Sequence, residues 1–88
     1  MDVNSMLEQL ASEMKGMYPQ FKFIVDETPI SYVLTMKHKN GRVIAELVYY
    51  YSDETFSVAR TSDGEAVRGS FDDVRTGLIN IAAGVSST

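Results

Sequence analysis

Cysteine is absent from this sequence of 88 residues, and histidine occurs once. Without thiols, no disulfide can stabilise the fold, and thiolate catalysis and cysteine-based zinc sites are excluded. Because His38 is the only histidine in the sequence and there is no cysteine, binding of a transition metal is also disfavoured. We therefore expect no metal and no cofactor.

Long apolar runs are also missing. No window approaches the ~20 apolar residues that a membrane span requires. The first ten residues, MDVNSMLEQL, have neither the basic start nor the continuous apolar stretch of a signal peptide. We expect a cytoplasmic protein that does not contact the membrane.

Recognisable catalytic motifs are lacking as well. The serines, threonines and basic residues show no triad spacing, and no glycine-rich phosphate loop occurs. Adjacent carboxylates occur three times, but each pair falls at a predicted turn or helix start, where acidic residues are common. We expect neither enzymatic activity nor a small-molecule substrate. The acidic pairs are Asp26-Glu27, Asp53-Glu54 and Asp72-Asp73.

The composition is that of one folded domain. Hydrophobic residues make up 44% of the chain and charged residues 23%, which is ordinary for a globular protein. A chain of this length can bury one core but not two. We therefore expect residues 1–88 to form a single domain. The net charge of −4 disfavours generic binding to a nucleic-acid backbone.

Apolar residues at helical spacing predict one helix near each end of the chain. The first covers residues 5–16, with Ser5 and Glu8 as a capping box and Asn4 as an alternative cap. The second covers residues 71–83 and begins after Ser70. Asp73 is expected to complete a capping box with Ser70, and Gly77 to pack closely against the sheet or the first helix. Gly84 is expected to end the helix, which leaves residues 85–88 as a tail.

Between the helices the apolar residues recur at every second position, which is typical of half-buried strands. Asn40-Gly41 and Asp63-Gly64 are strong hairpin-turn signals. Turn chemistry at all four connections keeps the apolar residues on one face. The sequence thus predicts an α+β fold: a five-stranded antiparallel meander with both helices on one face. The predicted strands are residues 21–26, 31–39, 42–51, 55–61 and 65–69.

The predicted register assigns the three consecutive tyrosines to different faces. Tyr49 and Tyr51 lie on the core side, opposite Val58 and Phe56, whereas Tyr50 lies on the outer face. Elsewhere, Phe23 is predicted opposite Leu34, Val33 opposite Val48 and Arg60 opposite Val67, with Val43 on the core side and Ile44 on the outer side.

One row of the predicted outer face is mostly apolar and has Tyr50 beside it. A contiguous apolar row with an aromatic neighbour and a polar rim is typical of an interface. We therefore expect a small protein-binding module that uses this face, either as a homodimer or with another protein. Inhibitors, adaptors and phage or mobile-element accessory proteins are often of this kind. The candidate partner-binding residues are Ile24, Val33, Val48, Tyr50, Ala59 and Arg68.

Two alternative functions follow from the charged residues. Lys37, Lys39 and Arg42, predicted to share the outer face at a hairpin tip, could contact nucleic-acid phosphates. Alternatively, acidic residues at turns and at a helix start could mimic nucleic acid and occupy a partner's binding site. The residues for this second alternative are Asp53, Glu54, Asp63, Glu65, Asp72 and Asp73.

Residues 5–46 resemble the first half of a double-stranded-RNA-binding domain, whose order is α-β-β-β-α. The resemblance is carried by YPQFKFIVDE at 18–27 and NGRVIAE at 40–46. It implies a helix followed by antiparallel strands. The chain then departs from that pattern, because it continues as YYYSDETFSVAR and its closing helix begins with FDD where such domains have phosphate-gripping lysines. We do not transfer the RNA-binding function.

Overall fold

The computed structural model describes residues 2–87 and confirms the α+β fold, in which one open five-stranded antiparallel sheet is preceded and followed in the chain by a helix. The strands follow one another in the sheet in chain order. Met1 and Thr88, which belong to the predicted domain and tail, lie outside the described residues. The elements are α1 (Val3–Met17), β1 (Phe21–Glu27), β2 (Ser31–His38), β3 (Val43–Tyr50), β4 (Thr55–Arg60), β5 (Ala66–Gly69) and α2 (Phe71–Ser86).

Both helices lie on the same side of the sheet, α1 over β1 and β2 and α2 over β3 to β5. A salt bridge of 2.9 Å between Glu13 Oε2 and Arg75 Nη2 joins the two helices. The enclosed apolar residues form one core. Its buried members are Leu7, Leu10, Ala11, Met14, Phe21, Phe23, Leu34, Met36, Ile44, Ala45, Leu47, Val58, Val74, Leu78 and Ala82.

The first helix starts earlier than its sequence pattern predicts. Asp2 is the N-cap, and its side chain accepts a hydrogen bond of 2.8 Å from the backbone N–H of Ser5. This hydrogen bond is the main reason why the pKa of the Asp2 carboxyl is lowered. The predicted capping box of Ser5 and Glu8 is therefore wrong, because Ser5 already lies in the first turn and is itself capped.

The second helix has the predicted cap but continues past the predicted stop. The Ser70 hydroxyl accepts from the Asp73 N–H at 3.2 Å, and Asp73 Oδ2 accepts from the Ser70 N–H at 2.9 Å. Gly84 does not end the helix, which runs to Ser86. The additional turn continues the apolar stripe, because Val85 packs against the core.

The pairing of β2 with β3 is confirmed at Val33 and Val48, but the other three pairings are two residues away from the predicted ones. Each error has the same cause, which is the length of a turn. At the β1–β2 turn, for example, the Thr28 N–H donates to the Ser31 carbonyl at 2.8 Å, leaving only two residues between them. A pairing that is shifted by two residues leaves each side chain on its predicted face of the sheet, but it changes which residues lie side by side across the strands. The observed pairs are Val25 with Leu34, Tyr49 with Phe56, and Val58 with Val67.

The β2–β3 hairpin contains a bulge that the sequence pattern does not reveal. His38 donates its N–H to the Arg42 carbonyl at 2.9 Å across a three-residue loop, in which Gly41 has a φ of 93°. The register then shifts between Met36 and Lys37. The bulge brings Ile44 into the core, where it is only 6% exposed, so its predicted outer position is wrong.

Gly77 and Gly84 offer a matched test of helix packing, since both are interior to α2. A Cβ on Gly77 would lie 2.8 Å from Val58 Cγ1, whereas a Cβ on Gly84 meets nothing within 4 Å. Val58 is buried and β-branched, so it cannot move aside easily. The close packing predicted for Gly77 is confirmed.

We expect Gly77→Ala to lower the free energy of unfolding by about 1 kcal/mol, because overpacking of ~1–3 kcal/mol exceeds the ~1 kcal/mol gain in helix propensity. Gly84→Ala should raise it by roughly 0.5–1 kcal/mol. Urea unfolding followed by circular dichroism measures both changes. Equal stabilisation by the two substitutions would contradict the close packing of α2 on β4.

Candidate binding face

The outer face is the side of the sheet that the helices leave uncovered. The sequence-predicted row across it divides into two neighbouring rows, because three of the four pairings differ from prediction. The first row contains Asp26, Val33, Val48, Ser57 and Arg68. The second contains Ile24, Thr35, Glu46, Ala59 and Ala66.

Four apolar residues nevertheless surround one shallow depression on this face. Val33 and Val48 pair directly and are half-buried, and Tyr50 beside them is 39% exposed. Ile30, in the β1–β2 turn, is 65% exposed and completes the group. We call these four residues the apolar cluster. The same depression is also lined by Thr28, Pro29, Ser31 and Glu46.

Ile30 is the member that sequence reasoning missed, because the predicted strands 21–26 and 31–39 leave residues 27–30 as a four-residue connection that contains Ile30. The available signal is its residue type. A β-branched apolar residue directly after Pro29 is unusual for a tight turn, where glycine, asparagine and aspartate are favoured. An apolar side chain at the tip of a two-residue turn lies beyond the strands and has no core beneath it.

Hydrogen bonds hold the turn that carries Ile30. The hydroxyls of Thr28 and Ser31 are 2.7 Å apart, and the Ile30 N–H donates to Thr28 Oγ1 at 3.2 Å. Ser31 is only 4% exposed. The backbone of the turn is therefore held by its own hydrogen bonds.

Tyr51 fixes the same turn from the end of β3. Its N–H donates to the Ile30 carbonyl at 3.1 Å, and its hydroxyl lies 3.1 Å from Glu27 Oε2 and 3.3 Å from the Thr28 carbonyl oxygen. Its ring meets the Tyr32 ring edge-on, with centroids 5.3 Å apart. Tyr51 thus lies in the loop after β3, and its predicted pairing with Phe56 is wrong, since Tyr49 takes that place.

Charged residues flank the apolar cluster. Glu46 contributes a charged side chain to the lining of the depression. Asp26 and Arg68 lie at opposite ends of the row that contains Val33 and Val48. Asp53 and Arg68 line a second shallow depression on the other side of Tyr50. The cluster therefore has an apolar centre and a charged, hydroxyl-rich rim.

The basic residues predicted for nucleic-acid binding do not share one face. Lys37 lies on the outer face opposite Lys22. Arg42 points elsewhere, since its Nη2 lies 3.2 Å from His38 Nε2, and the His38 ring packs edge-on against Phe21 of the core. The β-bulge and the three-residue loop cause this separation. Lys39 instead lines a groove beside β1.

The six acidic residues considered as a nucleic-acid mimic lie at opposite ends of the sheet. Asp53 and Glu54 precede β4, whereas Asp63 and Glu65 follow it. Arg60 pairs with Asp63 and Glu65. The hydrogen bond from Arg60 is the main cause of the lowered pKa of the Asp63 carboxyl. The remaining two, Asp72 and Asp73, lie in the first turn of α2, where Asp73 serves the capping box.

No protein-family model, curated protein or solved structure matches this chain. Among residues 2–87, neither helix has the length and apolar character needed to cross a membrane.

The phenol of Tyr51 makes the turn sensitive to alkaline pH. Partial burial, the hydrogen bond to Glu27 and the charge of that carboxylate raise the pKa of Tyr51 to about 12. An unfolded tyrosine ionises with a pKa of about 10. The stabilisation is therefore complete below pH about 10 and is lost as the pH rises towards 12.

We expect Tyr51→Phe to make the free energy of unfolding fall less steeply with pH in this alkaline window. Chemical unfolding at a series of pH values measures the slope. Tyr50→Phe is the matched control, since it removes a phenol one residue away, on the outer face. Equal slopes in the wild type and Tyr51→Phe would show that this phenol does not stabilise the turn.

Proposed function

We propose that this chain is a small non-catalytic protein-binding domain of the inhibitor or adaptor type, acting in the cytoplasm as the sequence predicts. Its binding surface is the outer face, centred on the apolar cluster. The observation that carries the proposal is the grouping of Ile30, Val33, Val48 and Tyr50 around one depression on the uncovered side of the sheet.

The composition of the outer face supports a binding role. An antiparallel sheet with helices on one side normally presents polar residues on the other. Here Val33 and Val48 lie in the middle of that other side, and Tyr50 and Ile30 extend the apolar surface towards one end. Tyrosine in an apolar patch with a polar rim is typical of residues that dominate binding energy.

Rigidity supports the same role. The cluster residues come from two paired strands and from a turn closed by hydrogen bonds of Thr28, Ser31 and Tyr51. A partner would meet a surface that is already arranged, and less free energy would be spent on ordering side chains and loops.

The charge around the cluster indicates the chemistry of the partner. Glu46 lines the depression, Asp53 and Arg68 lie beyond Tyr50, and the chain as a whole carries a net charge of −4. A complementary protein surface has protruding apolar side chains, which fill the shallow depression, and basic residues around them. We propose a partner of this type.

Val48→Asp and Tyr50→Glu should each leave the chain folded but weaken binding at least about 30-fold, as for residues at the centre of an interface. The chain and both variants would serve as baits in affinity capture from a lysate of the source organism. Met17→Lys is the matched control, because Met17 is 48% exposed but lies at the end of α1, on the helix side.

The partner is the protein that the wild type and Met17→Lys retain and that both outer-face variants lose. Calorimetry with the purified partner then gives the dissociation constants, and circular dichroism checks that the variants are folded. The proposal is wrong if all four baits retain the same proteins, or if the wild type retains none beyond the resin alone.

A further inference from the structure

The two edges of the sheet differ in length and in protection. β5 has four residues, whereas β1 has seven and contains neither a proline nor a bulge. Long regular edge strands are templates for pairing with another strand. Charged side chains can protect such an edge, and β1 carries them at Lys22, Asp26 and Glu27. The other usual protective features are short edges, prolines and bulges. The β1 edge lacks these three protective features.

The hydrogen bond at the β1–β2 turn shows which backbone groups of β1 are directed outwards. The Thr28 N–H donates to the Ser31 carbonyl, and neighbouring residues of an antiparallel strand alternate in direction. Lys22, Ile24 and Asp26 therefore direct their N–H and C=O groups towards β2. The outward residues are Phe23, Val25 and Glu27, with the carbonyl of Phe21.

The side chains along this edge are charged oppositely at its two ends. At the start of β1, Lys22 lines an open groove together with Lys15 and Lys39. At its end lie Asp26 and Glu27. An antiparallel copy of the same strand would place the basic end of each against the acidic end of the other.

We infer that two copies of the chain associate through β1, pairing antiparallel around a two-fold axis at Ile24. Phe23 of one copy then exchanges backbone hydrogen bonds with Val25 of the second copy. On the outer face, Ile24 meets Ile24 of the second copy, and Lys22 faces Asp26 of the second copy on either side. Opposite charges across strands stabilise such pairs.

Neighbouring registers are less favourable for the same residues. A shift of two places Ile24 opposite Lys22 or opposite Asp26 of the second copy, which separates the opposite charges and leaves isoleucine beside a charge. A shift of one pairs inward-directed with outward-directed backbone groups, which breaks the hydrogen bonds. The charge pattern and the backbone direction therefore select one arrangement.

The resulting dimer has one continuous sheet of ten strands, since each copy contributes five. Because the second copy continues the sheet of the first, the helices of both copies lie on one side of the combined sheet and both outer faces lie on the other. The association does not depend on the proposed function, as it uses the strand edge and leaves Val48 and Tyr50 uncovered.

Sedimentation equilibrium should give twice the chain mass of 9.8 kDa. Lys22→Asp and Asp26→Lys should each weaken the dimer about ten-fold at low salt, because each substitution creates two like-charge contacts. Combining both substitutions should restore the dimer, since the charges are then exchanged. Arg68→Asp, on the far edge strand β5, is the matched control and should change nothing.

A cysteine substitution tests the two-fold axis directly, because the chain has no cysteine of its own. Residues in a non-hydrogen-bonded antiparallel pair have Cα atoms ~4.5 Å apart, within disulfide range. Ile24→Cys should therefore form a covalent dimer under mild oxidation, seen on a non-reducing gel. Lys22→Cys should not, because position 22 faces position 26 of the second copy.

A monomer at every concentration tested would overturn the inference. Equal cross-linking of the Ile24→Cys and Lys22→Cys proteins would overturn it as well. The same holds if the variant with both Lys22→Asp and Asp26→Lys dimerises no more tightly than the two single variants. Val48→Asp should leave the dimer intact, so failure of the edge dimer and failure of the outer-face interface are separable.

Discussion

Burial of a single face of the sheet under two helices is the constraint on which the structure depends. Neither helix alone spans five strands, so α1 covers β1 and β2 while α2 covers β3 to β5. Leu34 and Leu47, opposite each other on the neighbouring strands β2 and β3, are fully buried beneath the helices. Each such side chain contributes roughly 2 kcal/mol to folding. Because both helices are committed to one face, the other face and both edges remain available to other molecules.

The same constraint explains which features the sequence predicts well. Alternation of apolar residues reports the face of each strand, and a pairing error of two residues leaves every face unchanged. The element order, the existence of both helices and the faces of most strand residues could therefore be predicted, whereas exact pairings required turn lengths that depend on single hydrogen bonds. The bonds from Thr28 to Ser31 and from Gly64 to Arg60 decide two of these turns. The bulge that buries Ile44 has no distinct sequence signal.

Prediction of the candidate site shows the same division. Val33, Val48 and Tyr50 were predicted together because β2 and β3 are joined by a hairpin whose pairing remains regular beyond the bulge. Ile30 was missed because its place depends on the shortness of a turn. The prediction that the basic residues share one face is wrong, because the hairpin loop has three residues instead of two. In this longer loop, Arg42 lies against His38. Contacts that follow from the alternation of residues along a strand can thus be predicted from the sequence, whereas contacts that depend on the length of a loop cannot.

The bonds of Tyr51 also bear on how the sheet opens. They join the end of β3 to the turn between β1 and β2, so the first hairpin is tied to a strand beyond its own pair. At that end, β1 cannot separate without disturbing β3, and local opening there becomes a cooperative event of three strands. At the opposite end, the loop that contains Gly41 is closed by its own backbone bonds, from the His38 N–H to the Arg42 carbonyl and from the Gly41 N–H to the His38 carbonyl. Spontaneous fraying should therefore begin at Gly41, far from the apolar cluster, and amide hydrogens beside that cluster should be among the slowest to exchange.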